Sequence, residues 1–261
     1  MSSYLGTALI TGASSGIGAV YADRLARRGY DLVLVARDET RLQALAGTLR
    51  ATGVTVEVHR ADLTNAQDLA AVEARLRDDP TITLLINNAG AAAPGGFAGS
   101  DPDVLDSLIR LNITAVTRLA GAVVPRFLAE GRGAIVNIAS VLGLAPENSL
   151  GIYGATKAYV LALSQSLQNE IGPKGIYVQA VLPAATRTEI WQRSGRDINQ
   201  IPGVMDVYEM VDAALVGFDR REKVTIPSLP DAAQWDAFSA ARQAMLPNFR
   251  NEHAAARYRA A

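Results

Sequence analysis

The chain has 261 residues, 49% hydrophobic and 20% charged, an ordinary globular composition with enough length for one large core, so a single domain over residues 1–261 is expected. Lys and Arg total 25 against 26 Asp and Glu, a net charge of −1 with no long run of one sign, which argues against a nucleic-acid partner or an anionic membrane surface. Cysteine is absent and the only histidines are His59 and His253, which excludes disulfides, thiol nucleophiles, thiolate metal sites and a multi-imidazole zinc site within one chain.

The start, Met1-Ser2-Ser3-Tyr4, lacks the charged and apolar regions of a secretory signal, and no stretch reads as a membrane span. A cytoplasmic location with no membrane partner is therefore expected. From there apolar runs alternate with amphipathic ones, a rhythm that predicts an α/β fold: a doubly wound, Rossmann-like, seven-stranded parallel sheet with helices on both faces. The first strand is expected at Thr7–Thr11 and runs through "TGASSGIG", Thr11 to Gly18, into a helix over Gly16–Arg28. In that setting Gly12, Gly16 and Gly18 permit φ > 0, close approach of backbone to a phosphate and tight packing of helix on strand, while the helix N-terminus favours the anion.

The second strand, Asp31–Ala36, ends on Arg37. About 20 residues beyond such a turn, NAD-binding proteins usually carry an acid for the ribose 2′-OH. Ala36 and Arg37 stand there instead, and a guanidinium pairs with a 2′-phosphate that an acid would repel. The position favours NADP(H) over NAD(H); the alternative is a solvated cation or a partner of Asp38.

Further on, strands are expected at Thr55–His59, Leu84–Asn87, Ala134–Ile138, Ile176–Leu182 and Val224–Ile226, and helices over Thr40–Ala51, Ala66–Arg77, Pro102–Ala129, Tyr153–Ile171 and Asp206–Gly217. "AAAPGGFAGS", Ala91 to Ser100, reads as a loop. Ser140 follows the fifth strand, where a hydroxyl at the carboxyl end of a parallel sheet can hold a substrate oxygen. Thirteen residues later comes "YGATK", which places Tyr153 and Lys157 on one helix face. A free tyrosine titrates near pH ~10, and a neighbouring cation is expected to lower it toward the range useful for proton transfer. Only three lysines occur among the 25 basic residues, which sharpens the placement of Lys157. The stretch Pro183 to Gly203 contains two prolines and little periodicity, and residues 184–203 read as a substrate lid. Ile190, Trp191 and Ile201 there, with Leu142, Leu144 and Ile152, suggest a partly apolar pocket or ordinary core packing. In the C-terminal segment, about 230–261, Trp235, Phe238 and Met245 fall at roughly helical spacing, as core or subunit contacts would.

"TGASSGIG" resembles the cofactor motif of the short-chain dehydrogenase/reductase family, and the resemblance continues through "ADL" at Asp62, "NNAG" at Asn87 to Gly90, "RLNITA", "IAS" and "YGATK". It implies an NADP-preferring carbonyl reductase or ketoreductase. In that family's pattern Ser140 positions the carbonyl, Tyr153 is the general acid/base, Lys157 also holds the nicotinamide ribose and Asn112 supports a water in the proton relay. The same resemblance gives Ser14, Ser15, Ile17, Asp62, Leu63, Asn88, Ala89, Gly90, Pro183 and Thr188 to the cofactor. It also implies a small-molecule carbonyl or alcohol substrate, no metal, and a homo-oligomer, dimer or tetramer. One departure is Ala184, where the family usually has glycine, which is tolerable only at φ < 0. A nucleotide-binding sensor or scaffold without turnover is the alternative, and a dehydration or epimerisation on the same fold stays open.

Overall fold

The computed structural model describes residues 5–93, 96–148, 151–195 and 197–259. The first four residues, read above for a signal segment, and Pro94, Gly95 and Arg196 of the two expected loops lie outside them. Among the described residues one sheet contains β1 (Thr7–Thr11), β2 (Asp31–Ala36), β3 (Val56–Arg60), β4 (Ile82–Asn87), β5 (Ala134–Ile138), β6 (Tyr177–Val181) and β7 (Val224–Thr225). All neighbours are parallel, in the order β3-β2-β1-β4-β5-β6-β7. The order reverses between β1 and β4, so the crevice for ligands opens beyond their carboxyl ends.

The helices are α1 (Gly16–Arg27), α2 (Glu39–Arg50), α3 (Ala66–Asp78), α4 (Pro102–Ile109), α5 (Val116–Glu130), α6 (Ile152–Glu170), α7 (Ile190–Arg193) and α8 (Val207–Asp219). Successive strand residues serve opposite faces. Ile10, Leu32 and Leu34 pack with Tyr21, Leu25, Met210 and Leu215 on one side. Leu9, Val33 and Val35 pack with Val72, Leu119, Val123 and Phe127 on the other. Burial on both faces is why the strands read as unbroken apolar runs. Asp38, Asn65, Asp101 and Asp206 each accept a backbone N–H in the first turn of the helix that follows, which satisfies donors the helix cannot.

Two boundaries differ from expectation in a way that matters for the site. β4 begins at Ile82 rather than Leu84, because Thr7 pairs with Ile82 and Ala8 with Leu84, and a bulge between them takes up the extra residue. The single helix expected over Pro102–Ala129 is interrupted by a π-helical turn, Arg110–Ala115, that contains Asn112.

The chain divides into two compact units, Met1–Pro227 and Ser228–Ala261. The second holds α9 (Ala232–Gln243) and short 3-10 turns at Leu246–Arg250 and Ala256–Tyr258. None of its helical residues is buried. Trp235 and Phe238 stack with ring centroids 5.6 Å apart, yet Phe238, Met245, Leu246, Phe249 and Tyr258 are exposed. Of the two roles expected for this tail, packing into a core is not what these residues do.

Candidate active site

The turn after β1 requires glycine for two separate reasons. Gly12 (φ +65) and Gly16 (φ +55) occupy the left-handed region. Close approach is the second reason: a Cβ on Gly12 would lie 2.8 Å from Asn88 Nδ2 and 2.9 Å from Ala89 Cα, and one on Gly18 would meet the Gly12 carbonyl. "NNAG" thus packs directly against the glycine turn. Thr11 Oγ1 accepts the N–H groups of Asn88 and Ala89, both at 3.0 Å, and Asn88 Nδ2 donates to Thr11 O at 2.9 Å and Gly12 O at 3.2 Å. Ser15 sits at the N-cap of α1 without a side-chain capping bond, and the first turn carries no acid. Ser14, Ser15, Gly16 and Ile17 are half-buried along this groove. An open helix N-terminus behind a cradle that a Cβ would fill fits a dinucleotide diphosphate.

At the far end of the groove, Ala36 is buried and Arg37 is exposed. Asp38 does not engage Arg37: it caps α2 through Arg41 N at 3.0 Å and faces Arg41 Nε at 3.4 Å. Asp62 accepts from Thr64 N at 2.9 Å and Thr64 Oγ1 at 2.7 Å. Partial burial pushes its carboxyl up, but these bonds and the charges of Arg37 and Arg60 outweigh it and hold the group below its ordinary value. Leu63 beside it is buried. Two contacts that sequence reading missed tie the lid to this groove. Arg41 Nη1 donates to both carboxylate oxygens of Glu189, at 2.9 and 2.8 Å, and a Cβ on Gly16 would lie 3.2 Å from Thr188 Cγ2. Thr188 therefore sits on the glycine turn. Pro183 O accepts from Val141 N at 3.0 Å and from Ser140 Oγ at 3.3 Å. Among described non-glycine residues only Arg221 has positive φ, so Ala184 stands where the family usually has glycine without backbone strain.

The four expected catalytic side chains converge. Asn112 is fully buried in the π turn; its Oδ1 accepts Ala91 N at 3.0 Å, and its Nδ2 donates to Ala91 O at 2.9 Å and Thr156 Oγ1 at 3.0 Å. Thr156 Oγ1 donates to Tyr153 O at 2.8 Å. Lys157 Nζ donates to Ile138 O at 2.8 Å and lies 5.7 Å from the centroid of the Tyr153 ring. A Cβ on Gly90 would be 3.3 Å from both Asn112 Oδ1 and Lys157 Nζ, so the last glycine of "NNAG" leaves room between them. Ser140 Oγ accepts Leu142 N at 3.1 Å and acts on the Tyr153 phenol. Gly143 is a signal that spacing did not reveal: a Cβ there would lie 2.8 Å from Ala158 N and 2.9 Å from Lys157 C. Its absence lets the Ser140 loop rest on α6.

Electrostatics here departs from the expectation that Lys157 would lower the tyrosine. Burial pushes the Tyr153 phenol up to about 12, with only the Ser140 hydroxyl pulling the other way, and burial pushes Lys157 down to about 8. The ammonium faces a backbone carbonyl rather than the phenol oxygen, so loss of solvation decides both groups.

Because Lys157 binds its proton less tightly folded than unfolded, its charge penalises the fold below about pH 8, and the penalty fades as pH rises toward the ordinary lysine value. Lys157→Met should therefore be more stable than wild type at pH 7.5. That advantage should shrink by up to about 3 kcal/mol between pH 8 and 10.5 in urea titrations; a constant difference would contradict the assignment.

A sequence model described as short chain dehydrogenase matches residues 6–199. A solved structure titled a short-chain dehydrogenase from Sphingobium yanoikuyae in complex with NADPH is 64% identical, covering 98% of this chain and 100% of that one with a TM-score of 0.96. A bulky-bulky ketone specific alcohol dehydrogenase from Comamonas testosteroni is 57% identical over 98% of this chain and 99% of that one, with a TM-score of 0.92. Among curated proteins, the very-long-chain 3-oxoacyl-CoA reductase-A of Danio rerio is 36% identical over 188 residues, 70% of this chain but 59% of that protein.

Proposed function

The chain belongs to the short-chain dehydrogenase family, and from that premise we propose that it transfers a hydride between NADP(H) and a ketone or the matching secondary alcohol. The observation that carries this reading is the convergence of Asn112, Ser140, Tyr153 and Lys157: Asn112 and Lys157 meet beside Gly90, and Lys157 and Ser140 both adjoin Tyr153. The glycine groove fits the diphosphate and Lys157 the nicotinamide ribose, and the dinucleotide bound there supplies or takes up the hydride. In the reductive direction Tyr153 gives its proton to the carbonyl oxygen as the carbon receives the hydride, and Ser140 donates a hydrogen bond to that oxygen. Asn112, tied to Ala91 and Thr156, keeps the tyrosine's helix in register with the cofactor groove. A sensor or scaffold would have no use for a phenol, a hydroxyl and a buried ammonium gathered at one point.

Arg37, exposed and without an ion pair among the described residues, is the residue for a 2′-phosphate. The NADPH in the Sphingobium structure supports the same choice. For substrate we propose a ketone with two large substituents. The Comamonas relative is named for such ketones. Leu142, Leu144, Ile152, Ile190, Trp191 and Ile201 are half-buried here rather than part of either core, as the walls of an apolar pocket would be.

We place the protein in the cytoplasm. The helical run Pro102–Glu130 is long and apolar enough by composition to cross a bilayer, a property sequence reading did not flag. It instead carries Asn112 and packs Leu119, Val123 and Phe127 into the core. The exposed apolar side chains of the C-terminal unit favour a homo-oligomer in which a second copy covers them. Aromatic side chains contribute ~150–250 Å² each, so this set supplies an appreciable part of the ~800 Å² per partner of a standard interface.

With purified protein, NADPH consumption should depend on an added aryl ketone, and Tyr153→Phe should lower kcat by about 10²-fold or more. Undiminished turnover in that variant would remove the tyrosine from proton transfer. Combining Arg37→Ala with Ala36→Asp should move the preference in kcat/KM toward NADH; an unchanged ratio would contradict the role of Arg37. In light scattering the wild type should exceed the 27.6 kDa of one chain, and Phe249→Glu with Tyr258→Glu should shift it toward that mass. A wild type that runs as a monomer overturns the oligomer.

A further inference from the structure

Phe97 stands apart from the other exposed apolar residues of the first unit because it is 65% exposed and its backbone lies against Gly151, two residues before Tyr153 in sequence. It opens a 3-10 turn, Phe97–Gly99, that is fastened on itself. Ser100 Oγ donates to Gly96 O at 2.9 Å, Gly99 N to Gly96 O at 3.3 Å and Ser100 N to Phe97 O at 3.3 Å. The segment's start is held by the Asn112 side chain at Ala91. The far side of the turn rests on Gly151, the N-cap of α6 and two residues before Tyr153. Gly151 has φ +54 and ψ −128, a conformation that side chains rarely adopt. A Cβ there would lie 3.2 Å from Phe97 N and 3.7 Å from Phe97 Cα.

A second glycine, on the other flank of the tyrosine, does the same for another wall. A Cβ on Gly154 would lie 3.0 Å from Leu142 O. The absent side chains at 151 and 154 thus admit the Phe97 turn and the Leu142 loop to the two sides of Tyr153 in sequence. An aromatic side chain left in water forgoes the gain of burial, and the hydrogen-bonded turn holds the Phe97 backbone against Gly151, two residues before Tyr153. An apolar substituent of the molecule whose oxygen meets Tyr153 would recover that burial.

We propose that the Phe97 ring is the contact surface for one large apolar substituent of the ketone, aryl or branched alkyl, and so a determinant of substrate specificity. This rests on the carbonyl-reduction reading above. The ring is carried on a backbone separate from the proton-transfer residues, so its loss should weaken binding of a large substituent while the chemical step is largely retained.

The test uses the full chain with two ketones, benzophenone and butan-2-one, against wild type, Phe97→Ala and Phe97→Leu. Phe97→Ala should raise KM for benzophenone by about tenfold or more with kcat within about threefold, and raise it far less for butan-2-one; Phe97→Leu should fall between. Calorimetric titration of benzophenone into protein holding NADP+, where no reduction can occur, should show the same loss of affinity. Equal effects on both ketones, or none on either, would overturn the inference. So would unchanged kinetics together with a change in oligomeric mass, which would mean that a second copy covers the ring. If wild type reduces neither ketone, the proposed reaction fails; the titration still decides on Phe97, and equal affinity with and without its ring would overturn its role.

Discussion

The amide of Asn112 holds the site together. It is fully buried, and its three hydrogen bonds join the backbone leaving β4, at Ala91, to the first turns of α6, at Thr156. Leaving such a group unpaired in the interior costs on the order of 1–3 kcal/mol, so strand exit and helix cannot separate without breaking costly bonds. Thr156 passes the constraint to Tyr153 through its carbonyl, and Lys157 is fixed one residue further on by Ile138 O. The π turn makes this possible. An extra residue per turn shifts the phase of the side chains around 112 while α4 and α5 continue on either side.

That turn also marks where sequence reading stops. The sheet was legible because strands buried on both faces must be apolar throughout, and Ser140, Tyr153 and Lys157 because a strand end and a helix turn explain their spacing, whereas Asn112 came only from the resemblance to the family pattern. A π turn leaves no comparable trace in the sequence: only the backbone of Arg110–Ala115 reveals the insertion. Gly143, Gly151 and Gly154 were opaque for another reason. A glycine required by the approach of a segment distant in sequence looks the same as one that merely ends a turn. Arg41 and Glu189, 148 positions apart, could not be paired from the chain alone. Ala184 shows the converse, a departure from the family pattern that the backbone angles make harmless.

Burial, more than charge, sets the protonation of Tyr153 and Lys157. Tyr153 is pushed up and Lys157 down, so each is biased toward its neutral form. The spacing of "YGATK" correctly brought the residues together but overstated what the cation does to the phenol, because the ammonium is itself desolvated and turned to Ile138 O. With Asn112, Ser140 and Lys157 buried, the site is largely shielded from solvent and poor in settled charge. In such surroundings a hydrogen bond to the substrate oxygen is stronger than it would be in water. Ser140, already acting on the phenol, is the group placed to exploit that.

The adenosine end follows the opposite logic. Arg37 and Arg41 are solvent-exposed and Arg60 faces water as well, and exposed ion pairs are individually weak, about 0–1 kcal/mol. Attraction from one guanidinium is thus a modest source of selectivity between two dinucleotides. The arrangement of acids adds to it. Ala36 offers no carboxylate, Asp38 is engaged by the N-cap of α2 and by Arg41, Glu189 by Arg41, and Asp68 by Asp62 N and Arg60. Asp38, Glu189 and Asp68 are thus paired with other groups, which limits their repulsion of an incoming phosphate. On the proposed reading, preference for a 2′-phosphate comes from neutralised repulsion as much as from Arg37, so replacing the arginine alone should weaken discrimination less than introducing an acid at position 36.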